Sequence, residues 1–244
     1  MINLNKEERI EDLQCRGLKI IQNKNWFCFG MDAVLLANYC DIKEGEEVVD
    51  LGTGTGIIPI LLYGKNNAKK IYGLELQEEV AEMAERSINL NKLENHIKII
   101  NTNIKEYRKY LKKNHFHTVV TNPPYIQSKN NLISPKEKKA LSRHELGGNL
   151  ENFIKTASEL LRHRGKFFIV YRPNRLVELF QLMKNYKIEP KKIRFVQNKR
   201  DEKPNLVLVK GVKAANPYLI VEKPLIVFNE DGNYSEEINE IYSS

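Results

Sequence analysis

The sequence predicts an α/β fold: a mainly parallel sheet of seven strands with an antiparallel hairpin at its C-terminal end and helices on both faces. Three observations carry that expectation. Short apolar runs alternate with stretches of helical spacing, the pattern of strands joined by helical crossovers. The first such run ends in Gly52-Thr53-Gly54-Thr55-Gly56, a glycine-rich turn between a strand and a helix. The last two apolar runs are separated only by the polar segment Asn198 to Asn205, too short for the crossover that a parallel return requires.

The elements follow in order. Glu46 to Leu51 reads as the first strand and Ile57 to Tyr63 as a helix that Gly64 closes. Lys70 to Leu76 is the second strand, and Glu78 to Asn91 a helix with Val80, Met83, Ala84, Ser87 and Ile88 on one face. Ile97 to Asn101 and His117 to Thr121 are the third and fourth strands, with the basic segment Lys105 to Lys113 between them. Asn149 is suited to cap a helix carrying Leu150, Phe153, Ile154, Ala157, Leu160 and Leu161 at helical spacing. Lys166 to Tyr171 is the fifth strand, Pro173 opens a helix through about Tyr186, and Lys192 to Gln197 with Leu206 to Lys210 makes the hairpin.

Three regions are expected: an N-terminal extension, 1–45, that closes the ligand site; a core, 46–211, with a substrate-side insert at 128–148; and a C-terminal extension, 212–244. The tail from Asn229 carries Glu230, Asp231, Glu236, Glu237 and Glu240 without a Lys or Arg, and is expected to be mobile. At 244 residues one main domain is the default, and 39 Lys and Arg against 31 Asp and Glu, a net charge of +8, favour a polyanionic partner. Cys15, Cys28 and Cys40 form no C-x-x-C pair, and an odd count argues against a disulfide framework. No stretch approaches the ~20 apolar residues of a membrane span, so a soluble, cytoplasmic chain with no membrane contact is expected. His115, His117, His144 and His163 show no metal spacing and no paired nucleophile, and no metal site is expected.

In open parallel sheets ligands sit beyond the carboxyl ends of the strands, so the loops after Asp50, Glu75, Asn101 and Thr121 should converge. The Asp50 to Gly56 turn lets backbone approach a ligand without Cβ interference, and its spacing is not the G-x-G-x-x-G of nicotinamide dehydrogenases. Glu75, at a strand end, can accept hydrogen bonds from both hydroxyls of a ribose.

The fourth strand delivers Asn122-Pro123-Pro124-Tyr125. A planar NH2 group is a poor nucleophile because its lone pair is conjugated. The Asn122 side-chain oxygen and the Pro123 carbonyl can each accept one of its hydrogens, favouring a more tetrahedral nitrogen aimed at an electrophile. The nitrogen becomes acidic only as it is alkylated, so no strong general base is needed. Pro123 and Pro124 fix φ and remove two donors, and Tyr125 can stack on a base. Taken alone the motif specifies only an activated planar amine, and N-P-P is also a natural strand terminator.

With these residues in view, the chain resembles the bacterial tRNA1(Val) adenine(37)-N6 methyltransferases, within the Rossmann-like class I methyltransferases. The likeness runs through Leu18 to Gln22, Phe27 to Ala37, Asp50 to Ile57, Asn122 to Tyr125, Ser142 to Glu145, Tyr171 to Pro173 and Asn205 to Gly211. It implies S-adenosyl-L-methionine as donor, held by Asp50, Gly52, Thr53, Gly54, Gly56 and Glu75, with Asn122 where the methyl is presented. It also implies a place for Asp32 at the methionine end of that site, although Asp32 reads equally well as the N-cap of a helix from Ala33 to Cys40. Many such enzymes have an Asp after the third strand that accepts a bond from the cofactor's adenine. Asn103 stands there instead, able to accept that bond without charge assistance.

The substrate implied is an adenine in tRNA. Ten Lys or Arg between Lys105 and Arg143 face only Glu106 and Glu137, and further cations cluster from Lys191 to Lys203. The candidate phosphate contacts are Lys136, Lys138, Lys139, Arg143, Lys191, Lys192, Arg194, Lys199 and Arg200, which would position RNA without reading bases. No obligate protein partner is evident. The alternatives are an N5-glutamine methyltransferase acting on a protein, whose family usually has a larger N-terminal helical domain than about 45 residues allow, and a non-catalytic RNA-binding module.

Overall fold

A computed structural model describes residues 4–24, 30–66, 68–125 and 148–243. Two short strands, β1 (Glu8–Asp12) and β2 (Lys19–Asn23), form an antiparallel hairpin ahead of helix α1 (Met31–Tyr39). Sequence patterning did not show this hairpin, because β1 is polar along most of its length. It is held from outside. Ile20 and Ile21 are fully buried, and Arg86 forks onto Glu8 at 2.6 and 2.7 Å. That guanidinium pulls the Glu8 carboxyl down to about 2.

The main sheet begins with β3 (Glu47–Leu51), α2 (Ile57–Asn66), β4 (Lys70–Glu75), α3 (Glu78–Leu90), β5 (Ile97–Asn101) and β6 (Phe116–Thr121). It continues through α4 (Leu150–Leu160), β7 (Leu161–Tyr171), α5 (Leu176–Asn185), β8 (Ile188–Gln197) and β9 (Leu206–Lys213). The seven strands stand in the order β8-β9-β7-β6-β3-β4-β5. Pairing is parallel from β7 through β6, β3 and β4 to β5, and antiparallel at β7–β9 and β8–β9. The expected seven-strand sheet with its C-terminal hairpin is therefore present. Two-residue strands β10 (Ile220–Val221) and β11 (Leu225–Ile226) each add to β8 in parallel and were too short to read from pattern.

Alternation along the buried strands divides the core into two layers. Val48, Phe168, Val170 and Leu208 pack with α1, α2 and α3, whereas Val49, Phe167, Ile169, Val207 and Val209 pack with α4 and α5. Burial on both faces explains why these strands read as unbroken apolar runs.

Three expectations need correction. Helix α2 does not stop at Gly64: it continues to Asn66, and a Cβ on Gly64 would lie 2.6 Å from Leu18 Cδ1 and 3.1 Å from Cys15 Sγ. That glycine is an approach point for the N-terminal hairpin. The helix opened by Pro173 starts as a single 3-10 turn, Pro173–Arg175, before α5. The acidic tail is ordered as α6 (Glu236–Ser243), with Ile238 and Ile241 buried and Arg194 forked onto Glu237 at 2.6 and 2.7 Å. Its charge hid a helical apolar stripe, Ile238, Ile241 and Tyr242. Among the described residues no helix is long and apolar enough to cross a membrane.

Candidate active site

One row of the sheet organises the site. Ile100, Leu74, Leu51, Thr121 and Ile169 are register partners across β5, β4, β3, β6 and β7. One residue beyond that row stand Glu75, Gly52 and Asn122, separated by strand spacings of roughly 4.8 Å.

The glycine turn folds back on β4: the N–H groups of Gly52 and Thr53 both donate to the Leu74 carbonyl at 2.9 Å. Gly54 adopts φ +57°, and among the described residues nothing beyond its chain neighbours lies within 4 Å of where its Cβ would be, so that stretch of backbone suits the approach of a ligand. Glu75 is buried, with its carboxylate accepting from Gly54 N at 3.0 Å and Gln77 N at 2.9 Å. Burial raises its pKa and those N–H groups oppose the rise.

Asp50 is the most costly residue in this layer. It is fully buried, and neither carboxylate oxygen has a hydrogen-bond partner among the described residues. Burial lifts its pKa from 3.8 to about 7, with the Thr53 side chain opposing and the charge of Glu75 adding. An uncompensated buried carboxylate of this kind is a seat prepared for positive charge.

At the end of β6, Thr121 Oγ1 donates to the Leu51 carbonyl at 2.8 Å, pinning the entry to Asn122-Pro123-Pro124-Tyr125 against β3. The Tyr125 hydroxyl lies 2.6 Å from Asn122 Oδ1 and 3.0 Å from Asp32 Oδ2. Its ring carries the Arg172 guanidinium 4.6 Å from the centroid and meets Tyr171 edge-on at 5.7 Å. Burial, followed by the Asp32 carboxylate, pushes the Tyr125 phenol well above its usual range. A strand-end carboxylate, an open glycine turn and an Asn-Pro-Pro-Tyr loop thus stand side by side on three adjacent strands. Residues 19–196 match the family model for the methyltransferase small domain.

The chain belongs to that methyltransferase family.

Similar proteins agree. The chain is 25% identical over 205 residues to a tRNA1(Val) (adenine(37)-N6)-methyltransferase of Dyadobacter fermentans, covering 82% of each. It is 26% identical over 211 residues to a protein of the same description from Tolumonas auensis, covering 85% of each. Among solved structures, a predicted O-methyltransferase from Agrobacterium tumefaciens superposes with a TM-score of 0.71 at 22% identity, over 87% of this chain and 95% of that one. A geranyl diphosphate C-methyltransferase from Streptomyces coelicolor A3(2), in complex with Mg2+, geranyl diphosphate and S-adenosyl-L-homocysteine, gives 0.55 at 13% identity, over 75% of this chain and 80% of that one. At those identities the superpositions speak to fold alone, and the fold is that of the class I methyltransferases.

In this methyltransferase two further candidates are already engaged. Asn103 caps the 3-10 turn Ile104–Lys109, its side-chain oxygen accepting from Lys105 N at 3.0 Å. Helix α1 starts two residues earlier than expected, with Gly30 at the N-cap, so Asp32 sits in the first turn and its Oδ1 accepts from Ala33 N at 2.9 Å. Neither the Asp32 contact to Tyr125 nor the place of Arg172 was read from the sequence. The usable signal was topological: Arg172 directly follows β7, the parallel neighbour of β6, which Asn122 directly follows.

The basic candidates divide. Lys136, Lys138, Lys139 and Arg143, with the Ser142 to Glu145 block, lie outside the described residues. Lys191 donates to the Asn216 carbonyl at 3.1 Å, Lys192 pairs with Glu222 at 2.8 Å, and Arg194 holds both Glu237 and the Lys223 carbonyl. Lys199 and Arg200 are exposed in the loop between β8 and β9.

Proposed function

We propose that the protein transfers a methyl group from S-adenosyl-L-methionine to the N6 amine of an adenine in tRNA, the adenine at position 37 beside the anticodon of tRNA1(Val), and works in the cytoplasm. The observation that carries this reading is Asn122, set one strand away from the open glycine turn, with Pro123 and Pro124 behind it. The description shared by the similar proteins from Dyadobacter fermentans and Tolumonas auensis supports the choice of tRNA.

The residues present suit the donor. Glu75 offers carboxylate oxygens to the ribose hydroxyls, Gly54 leaves room for the nucleoside, and the unpartnered Asp50 carboxylate suits a molecule with sulfonium and ammonium charges. When bound, S-adenosyl-L-methionine supplies an electrophilic methyl on a positively charged sulfur. The Asn122 side-chain oxygen and the Pro123 carbonyl accept the two N6 hydrogens and direct the nitrogen lone pair toward that methyl. The Tyr125 ring offers a face to an unstacked loop base. An amine nitrogen methylated there would become acidic, so its proton could pass to water and these residues need supply no strong base.

Nucleoside mass spectrometry of tRNA incubated with the protein and labelled donor is expected to yield labelled N6-methyladenosine that maps to the anticodon loop. Label on protein glutamine would support the N5-glutamine reading instead. The exposed cations give a second test. Replacing Lys199 and Arg200 with alanine is expected to flatten the salt dependence of tRNA binding, lowering the slope of log K against log salt by roughly 1.5. Replacing Lys192, whose charge Glu222 already offsets, should change that slope less. An unchanged slope in the Lys199 and Arg200 variant would remove the β8–β9 loop from the RNA surface.

A further inference from the structure

We propose that Asp32 is a positioning residue that acts through the Tyr125 hydroxyl to set which way the Asn122 side-chain amide faces. The proposal rests on the reading of Asn122 as the acceptor of the target amine.

Three groups meet around one proton. The Tyr125 hydroxyl oxygen is 2.6 Å from Asn122 Oδ1 and 3.0 Å from Asp32 Oδ2, and a single O–H cannot serve both acceptors. If the phenol donates to Asn122, it occupies the oxygen that the incoming amine requires and leaves a carboxylate oxygen facing a phenol oxygen without a proton. If it donates to Asp32, the charged acceptor receives the stronger bond, and the phenol oxygen turns its lone pairs toward the Asn122 amide. A half-turn of that amide then brings Nδ2–H onto the phenol oxygen. The chain of donors reads Asn122 Nδ2–H to Tyr125 O–H to Asp32, the phenol both accepts and donates, and Oδ1 faces away from Tyr125, free to accept from an NH2 group.

The surroundings hold this chain in place. Asp32 Oδ1 is tied to Ala33 N at 2.9 Å, which aims Oδ2 at the phenol. Arg172 covers the Tyr125 ring at 4.6 Å and is itself anchored to the Asn205 carbonyl at 3.1 Å, while Tyr171 meets the ring edge-on. The hydroxyl has little freedom to seek another partner. Asp32 lies 93 residues before Tyr125 in the chain, so α1 reaches the reaction centre through this contact.

The test is a double-mutant cycle with the full chain. D32N keeps the shape and removes the charge; Y125F keeps the ring and removes the hydroxyl. Each is expected to lower kcat at saturating donor roughly 10- to 100-fold, with KM for tRNA unchanged, and D32N/Y125F is expected to lose no more than the worse single variant. A melting temperature and circular dichroism spectrum like those of wild type report that each variant folds. Losses of kcat that multiply in the double variant, or a loss confined to KM, would overturn the relay. A wild-type protein that methylates no adenine in tRNA would overturn the amine reading, whereas an active wild type with unimpaired D32N would overturn the relay alone.

Discussion

Asn122→Ala is expected to cut methyl transfer to tRNA by roughly a thousandfold while leaving donor affinity intact, the scale seen when one preorganised partner of a reacting group is deleted. The reason is position. Asn122 stands at the end of β6 and contacts Tyr125, whereas the groups suited to the donor, Asp50, Gly54 and Glu75, lie on the neighbouring strands β3 and β4 and their loops. Alanine leaves Pro123 with one carbonyl for two amine hydrogens, so the nitrogen stays conjugated and its lone pair poorly aimed. Single-turnover rates with labelled donor, set beside calorimetric donor affinities for the same variant, separate the two effects. Turnover within tenfold of wild type would remove Asn122 from the reaction.

Asp50→Asn has consequences of opposite sign for stability and for binding. The Asp50 carboxyl titrates at about 7 in the folded chain against an ordinary 3.8, so between those values the folded state holds a proton that the unfolded state has released. Stability is therefore greatest at low pH in this window and is lost as pH rises toward 7, by up to about 4 kcal/mol. The neutral amide escapes that loss, and the variant without donor is expected to melt several degrees above wild type at pH 8, with the gap narrowing as pH falls to 5. Donor binding should move the other way. A cation favours the ionised carboxylate, so wild-type affinity should tighten about tenfold per pH unit from 6 toward 7, because binding must first expel the proton. In Asp50→Asn that dependence should vanish and affinity at pH 8 should fall. Melting curves and calorimetry across pH 5 to 8 test both halves, and parallel pH profiles for the two proteins would contradict this account of the buried charge.

The sheet was legible because its evidence is local. Val48 to Leu51, Ile71 to Leu74 and Phe167 to Tyr171 are wholly or largely buried and show as mainly apolar runs, and strand ends locate Glu75 and Asn122 once the sheet is parallel. Contacts between distant segments left no such trace. Nothing near Asp32 announces Tyr125, nothing near Arg194 announces Glu237, and Gly64 looked like a helix stop because its crowding comes from Leu18, 46 positions earlier in the numbering. The tail misled for a related reason: five acidic side chains dominate its composition, while its docking depends on two isoleucines. That the Asp50 carboxylate is buried without a hydrogen-bond partner among the described residues is a property of the folded interior and can be seen only there.

The bond from Thr121 to the Leu51 carbonyl has a mechanical meaning. On the proposed function it would cross-brace the seat of the methyl donor to the seat of the acceptor on adjacent rungs of one ladder, so that breathing of the sheet would carry both together and hardly alter the gap between them. Such a frame does not mould itself to its guest. On the proposed function the pliable partner in the encounter would be the nucleic acid, bending its own backbone to bring a base into a gauge already cut to length.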